Sequence, residues 1–371
     1  MGETNRGGHV GSIDVFKFAL ALAIAVLHAG QLFYGGDGYP LPMAGIAVEG
    51  FFVISGCLMC GSAARDASRS SGRTLGEGTV RFIGRKLKAL LIPYLVLVVI
   101  YLSCWMFVSG MDILAEFGKK ALLLKLLTFV PNLLLLSMAG IMQDKGLMGI
   151  TWYVSAMLIA MAVIYPLLRK LGKNYTCLVA PISALLLMGY MYNNGEVYKG
   201  TVNFLACMPQ GLMRAFISIN LGCVAWEIAA WLQGLDLTRF SRGLLAVVAA
   251  GLCGLAWFVM EFGDDIHCFT LVLFMPVLVG ILFSRQMAGS ALFDNKMCAY
   301  LGRFSTYLYF YHVAVRKIIE TAELAVSFGQ GLAAMLVGSF LLFVATDAVE
   351  CVARRLAREH RFSLKALFVN S

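Results

Sequence analysis

Lys17 and His28 stand eleven residues apart in the apolar stretch IDVFKFALALAIAVLHAG, residues 13–30. On an α-helix that spacing turns through about 1100°, roughly 20° from three full turns, so the two side chains share a face about 16 Å apart along the axis. An amine at one end offers a cation for an anionic group. The imidazole at the other can take and return a proton near neutral pH. Ala21 and Ala25 lie between them, and Asp14 stands three residues before Lys17. Ionisable groups in such a stretch are costly and usually face a cavity or a partner. Two arrangements fit: a narrow channel along this helix with Lys17 at its mouth, or Lys17 paired with Asp14 at the headgroups while His28 bonds a neighbouring helix.

A second stretch, GIAVEGFFVISGCLMCG at 45–61, adds Glu49 within apolar sequence and glycines at 45, 50 and 56. Glu49 and Gly56 fall on one helical face, where small residues let backbones approach closely. Glu49 is a candidate to orient His28, to pair with Lys17, or to hold a cation of another helix. Ser55, or the backbone near Gly56, is a candidate donor to a developing oxyanion. Arg81, Arg85, Lys86 and Lys88 cluster before the next apolar run. Such a group suits phosphates, although a basic cytoplasmic loop also sets membrane topology. Further on, Tyr309 and His312 are one helical turn apart, and Trp152 opens another apolar run.

These residues have to be positioned by membrane helices. The 371-residue chain is 60% hydrophobic and 14% charged, against roughly 25% charged in soluble domains. Apolar runs place ten spans near 13–34, 43–60, 89–109, 149–168, 175–192, 212–232, 243–260, 266–284, 299–319 and 331–353. The expected fold is an all-α polytopic transmembrane bundle. With the N-terminus inside, 22 of the 30 Lys and Arg fall on cytoplasmic flanks, as the positive-inside rule asks. Both termini are then cytoplasmic: residues 1–12 form one tail, the bundle occupies 13–353, and 354–371 form a second, basic tail. On this reading Arg214 is an outer-flank cation, the basic loop covers 61–88, and 111–148, with Lys119, Lys120, Lys125 and Pro131, lies in the outer interface. The first run lacks the small-x-small site of a cleaved leader and reads as a retained span. The net charge of +9 follows this asymmetry and implies membrane lipid, not nucleic acid, as the anionic surface. Cys57-x-x-Cys60 has no second ligand pair nearby, so no metal site is expected.

Five segments in order resemble the acyltransferase-3 family of integral membrane acyltransferases. They are Lys17 with His28; Phe51-Phe52-x-x-Ser55-Gly56; the basic run RFIGRKLKALLIPY at 81–94; Trp152-Tyr153; and LGRFSTYLYFYH at 301–312. The resemblance is to the stand-alone form without an extracellular esterase-like domain. It implies transfer of an acyl group, acetyl by default, from cytoplasmic acyl-CoA to a hydroxyl of an envelope glycan or lipid-linked sugar at the inner cell membrane. No permanently bound cofactor is implied. His28 would be base or transient acyl carrier, and Lys17, Arg81, Arg85, Lys86 and Lys88 would hold the donor. Glu49 and Ser55 would assist, with Asp14, Phe52, Gly56, Trp152, Tyr309 and His312 lining the pocket. Lys17 stands where the family more often has Arg, and Lys88-Ala89 departs from its second basic position. A proton-coupled transporter or lipid-linked sugar exporter, with His28, Glu49 and Lys17 as a relay, is the competing expectation.

Overall fold

The computed structural model describes residues 10–34, 38–68, 74–140, 148–194, 204–205, 207–324 and 326–369, with side chains as far as 352 except at 204 and 205. Most of the N-terminal tail, Arg69 and Arg73 of the basic loop, Lys145, Lys199 and the side chains of the C-terminal tail lie outside the described residues.

The architecture is an all-α bundle. Its helices are α1 (Gly11–Phe33), α2 (Ala47–Ser68), α3 (Leu75–Trp105), α4 (Met111–Thr128), α5 (Val130–Leu133), α6 (Thr151–Leu171), α7 (Ala180–Asn193), α8 (Gln210–Gln233), α9 (Arg239–Phe262), α10 (Asp265–Ser284), α11 (Lys296–Thr321) and α12 (Phe328–Val369). A two-residue antiparallel ladder pairs Phe204 with Pro209 and Leu205 with Met208. Among the described residues, nine helical segments are long and apolar enough to cross a membrane. The long helix α11 is not one of these. It carries Arg303, four tyrosines and His312, and it can be that polar because its middle is buried against α1, α3 and α12.

Two close approaches fix the interior. Gly56 of α2 meets Gly222 of α8, and a Cβ on Gly56 would stand 2.2 Å from the Ile219 carbonyl oxygen. The bare face of Gly56 is therefore filled by a helix. This corrects the expectation that it lines a cavity wall or offers a backbone donor. On the other side, a Cβ on Gly302 of α11 would stand 2.1 Å from Asp14 Cγ of α1. Phe18 meets Phe304 at 6.0 Å between ring centroids and His28 meets His312, so α1 and α11 run parallel, side by side.

Helix α3 begins at a capping box. Thr74 Oγ1 accepts from the Glu77 amide at 3.2 Å, and Glu77 Oε2 accepts from the Thr74 amide at 2.9 Å, satisfying two donors that a helix start leaves open. Its far end passes through a π-turn at Met106–Gly110 into α4, which breaks at Gly118 (φ 75°). No residue of α4 is buried. The chain then returns to α3, where the Tyr94 hydroxyl donates to the carbonyls of Leu133 (2.8 Å) and Asn132 (3.2 Å).

Candidate functional site

The parallel packing of α1 and α11 brings together the two histidines that the sequence places 284 residues apart. His28 Nδ1 lies 3.1 Å from His312 Nε2, with ring centroids 5.2 Å apart. The other nitrogen of His312, Nδ1, lies 2.6 Å from the Leu308 carbonyl oxygen one turn back in α11. His312 is fully buried and His28 half-buried. On the α1 face between Lys17 and His28, Ala21 and Ala25 are fully buried. At the cytoplasm-facing end of the sequence-based topology, Lys17 Nζ holds Asp14 Oδ1 at 2.6 Å.

Beside the histidines is a layer of aromatic rings. Tyr309 stands 6.4 Å from His312 and 5.4 Å from Tyr153, and its hydroxyl donates to the Ile150 carbonyl at 2.7 Å. Tyr153 packs at a tilt, 4.6 Å between centroids, against the fully buried Phe52, which touches Trp152 at 6.1 Å. The Ser55 hydroxyl bonds that of Tyr153. Beyond Trp152, at 4.8 Å from its ring, lies the guanidinium of Arg214.

Arg214 forks onto Glu49, with Nε to Oε1 at 2.6 Å and Nη2 to Oε2 at 3.0 Å, both side chains almost wholly buried. Two expectations are corrected here. Glu49 neither pairs with Lys17 nor orients His28, because its two oxygens are held by Arg214. Arg214, counted as a flank cation, lies inside the bundle and not at its rim: a guanidinium matches a carboxylate in two parallel bonds, and that partner draws it inward.

The basic residues of α3 divide among different partners. Arg85 lies 3.4 Å from Asp66 Oδ2, which also accepts from the Tyr165 hydroxyl at 2.5 Å. Arg81 and Arg169 lie within electrostatic reach of the same carboxylate. Tyr165 in turn stacks on Phe82 at 4.2 Å. Lys86 is within reach of Lys17 and Arg85. Lys88 lines a cavity of about 290 Å³ with Ile92, Arg303, Tyr307 and Glu350. Tyr307 donates to Glu350 at 2.6 Å, and Arg303 bridges Asp347 and Glu350.

Over residues 10–349 the chain matches the family model for the acyltransferase domain of type 3. The chain belongs to the acyltransferase-3 family. No curated protein and no solved structure matches it. In this acyltransferase-3 bundle the structure gathers His28, His312, Tyr309, Phe52, Trp152 and Ser55 on one connected set of contacts. Glu49 is joined to that set through Arg214, which lies over Trp152; Lys17, Asp14 and Lys86 form a second group, and Gly56 packs against α8. Two residues escaped the sequence reading. Asp66 sits in the segment 61–88 read as a basic loop, and its signal was an acid among arginines. Arg303 lay within the LGRFSTY segment and counted only as a flank charge.

Proposed function

We propose that this acyltransferase is an acyl-CoA-dependent O-acyltransferase of the inner membrane that acylates, by default acetylates, a hydroxyl of an envelope glycan or a lipid-linked sugar. The observation that carries the reading is the histidine pair inside the bundle, on a helix whose other end holds a cation. Lys17 and Lys86, with Arg81 and Arg85 beyond them, are the cations that would meet the donor's phosphates. The axial distance from Lys17 to His28, roughly 16 Å, is within the reach of an extended thioester arm, which would have to part the face that Ala21 and Ala25 close in this structure.

In the reaction His28 takes the proton of the acceptor hydroxyl as its oxygen attacks the thioester carbonyl. The C–O bond forms, the tetrahedral oxyanion collapses, and the C–S bond breaks. The same imidazole then returns the proton to the departing sulfur, leaving an O-acyl ester and the CoA thiol. Ser55 is our candidate donor to the oxyanion. The pair Glu49–Arg214 stays outside the chemistry and holds α2 against α8.

The test is transfer of labelled acetyl from acetyl-CoA to envelope glycan in inverted vesicles, comparing the native chain with His28→Ala at matched expression. The expected result is label on glycan that falls by about 10²-fold or more in the variant. Acetyl-CoA should also raise the melting temperature of the purified protein, since a ligand at a hundredfold excess over Kd stabilises by roughly 2.7 kcal/mol. If the native chain neither moves label nor binds acetyl-CoA, the acyl-CoA reading fails and the transporter reading is the one to pursue.

A further inference from the structure

We infer that His312 is a positioning residue that decides which nitrogen of His28 acts as the base. The inference rests on the acyltransferase reading above and goes one step beyond it, to the atom.

The assignment follows from what each partner can do. The Leu308 carbonyl oxygen can only accept, so His312 Nδ1, 2.6 Å away, carries a hydrogen and donates it. That carbonyl has two lone pairs, so it can serve the helix and the side chain together. A neutral imidazole protonated at Nδ1 has its lone pair at Nε2. His312 Nε2 faces His28 Nδ1 at 3.1 Å; it is therefore the acceptor, and His28 Nδ1 is the donor. The lone pair of His28 then belongs to Nε2. A charged His312 would donate from both nitrogens and consume the His28 lone pair at Nδ1. It would also leave a cation on a fully buried side chain, which is costly.

His312 thus does for His28 what a buried carboxylate does for the histidine of a Ser-His-Asp triad: it fixes tautomer and ring orientation and receives the N–H of the imidazolium when it forms. Here the acceptor is a neutral ring. Tyr309 supports the arrangement, its own hydroxyl tied to Ile150 and its ring against His312. On the His312 side the hydrogen bonds run to the backbone carbonyls of Leu308 and Tyr309, which have no proton to exchange. A proton taken by His28 Nε2 from the acceptor hydroxyl is therefore returned from Nε2 to the leaving sulfur and does not travel along α11.

Three variants of the full-length protein test this, measured for kcat and for KM towards acetyl-CoA alongside acetyl-CoA protection against heating. His312→Phe keeps a ring and loses the acceptor. Its expected kcat falls by about 10²–10³-fold, with donor KM and heat protection within about twofold of native. His312→Gln places an amide oxygen about where Nε2 sits and is expected to stay within about tenfold of native kcat. His312→Ala is expected to regain activity with millimolar imidazole, which can occupy the vacated ring position. Native kcat in His312→Phe overturns the inference. So does an equal loss in the Phe and Gln variants with no imidazole rescue, which would mark His312 as packing alone. An active native chain with an unimpaired His312→Phe sinks only this inference, whereas a native chain that transfers no acyl group sinks the reading beneath it.

Discussion

At the scale of single residues, the ion pair of Glu49 and Arg214 has the largest consequence for stability. Both groups are almost wholly buried, and removing one partner strands the other's charge inside the bundle. Glu49→Ala is expected to cost about 3–5 kcal/mol, read as a lower melting temperature of purified protein. Replacing both together by Met and Leu should restore most of that loss, because well-packed apolar residues often substitute for a buried pair at little cost. Recovery in the double variant separates a structural pair from a catalytic one: activity should return with stability. A double variant that is stable and inactive would place Glu49 in the chemistry. The sequence offered three partners for Glu49 and could not choose. The choice turns on a residue 165 positions away, and helical spacing carries no information across that gap.

At the scale of helices, the glycine contacts set how close α2 lies to α8 and α1 to α11. Gly222→Ala would put a Cβ 2.3 Å from the Val53 carbonyl oxygen, where only backbone movement makes room. A loss of about 1–3 kcal/mol is expected, again as a melting shift, together with reduced transfer. Gly302→Ala acts elsewhere, because its new carbon meets the Asp14 carboxylate that holds Lys17. Its expected signature is a KM for acetyl-CoA raised by several-fold with kcat little changed; an unchanged KM would exclude Lys17 from the donor site.

Helix existence was readable at this scale, since apolar runs of about 20 residues announce themselves. Even α11, too polar overall for a hydropathy criterion, was placed at 299–319 as an apolar run, because its middle, from Phe304 to Val315, is free of Lys, Arg, Asp and Glu. What could not be read was helix adjacency. That α1 lies beside α11 is decided by Gly302 fitting Asp14, a steric match between segments nearly 300 residues apart. For the same reason Arg214 was sorted by its place near a helix end, when a carboxylate on α2 had drawn it inward.

At the scale of the whole molecule, the charge asymmetry predicts both termini in the cytoplasm. A C-terminal reporter that fluoresces or acts only in the cytoplasm should therefore be active when fused after residue 371. An inactive fusion would place the tail outside, as an eleventh span within 111–148 would do with the N-terminus and Lys17 still inside. The segment from α4 to α5 bears on the same question. It leaves the bundle with no buried residue in α4 and comes back to Tyr94, so it adds surface to the outside of the bundle.

The placement of the two histidines on the first and the second-last long helices also makes the site a clock for biosynthesis. His28 enters the membrane early, and 284 residues separate it from His312. At about 5–20 residues per second, the ribosome needs roughly 15–60 s to supply the second ring. Until α11 is made, a nascent chain has no His312 to set beside His28. On the proposed function, a copy truncated before α11 lacks the imidazole pair and is expected to transfer no acyl group, because the second ring arrives only with the second-last long helix.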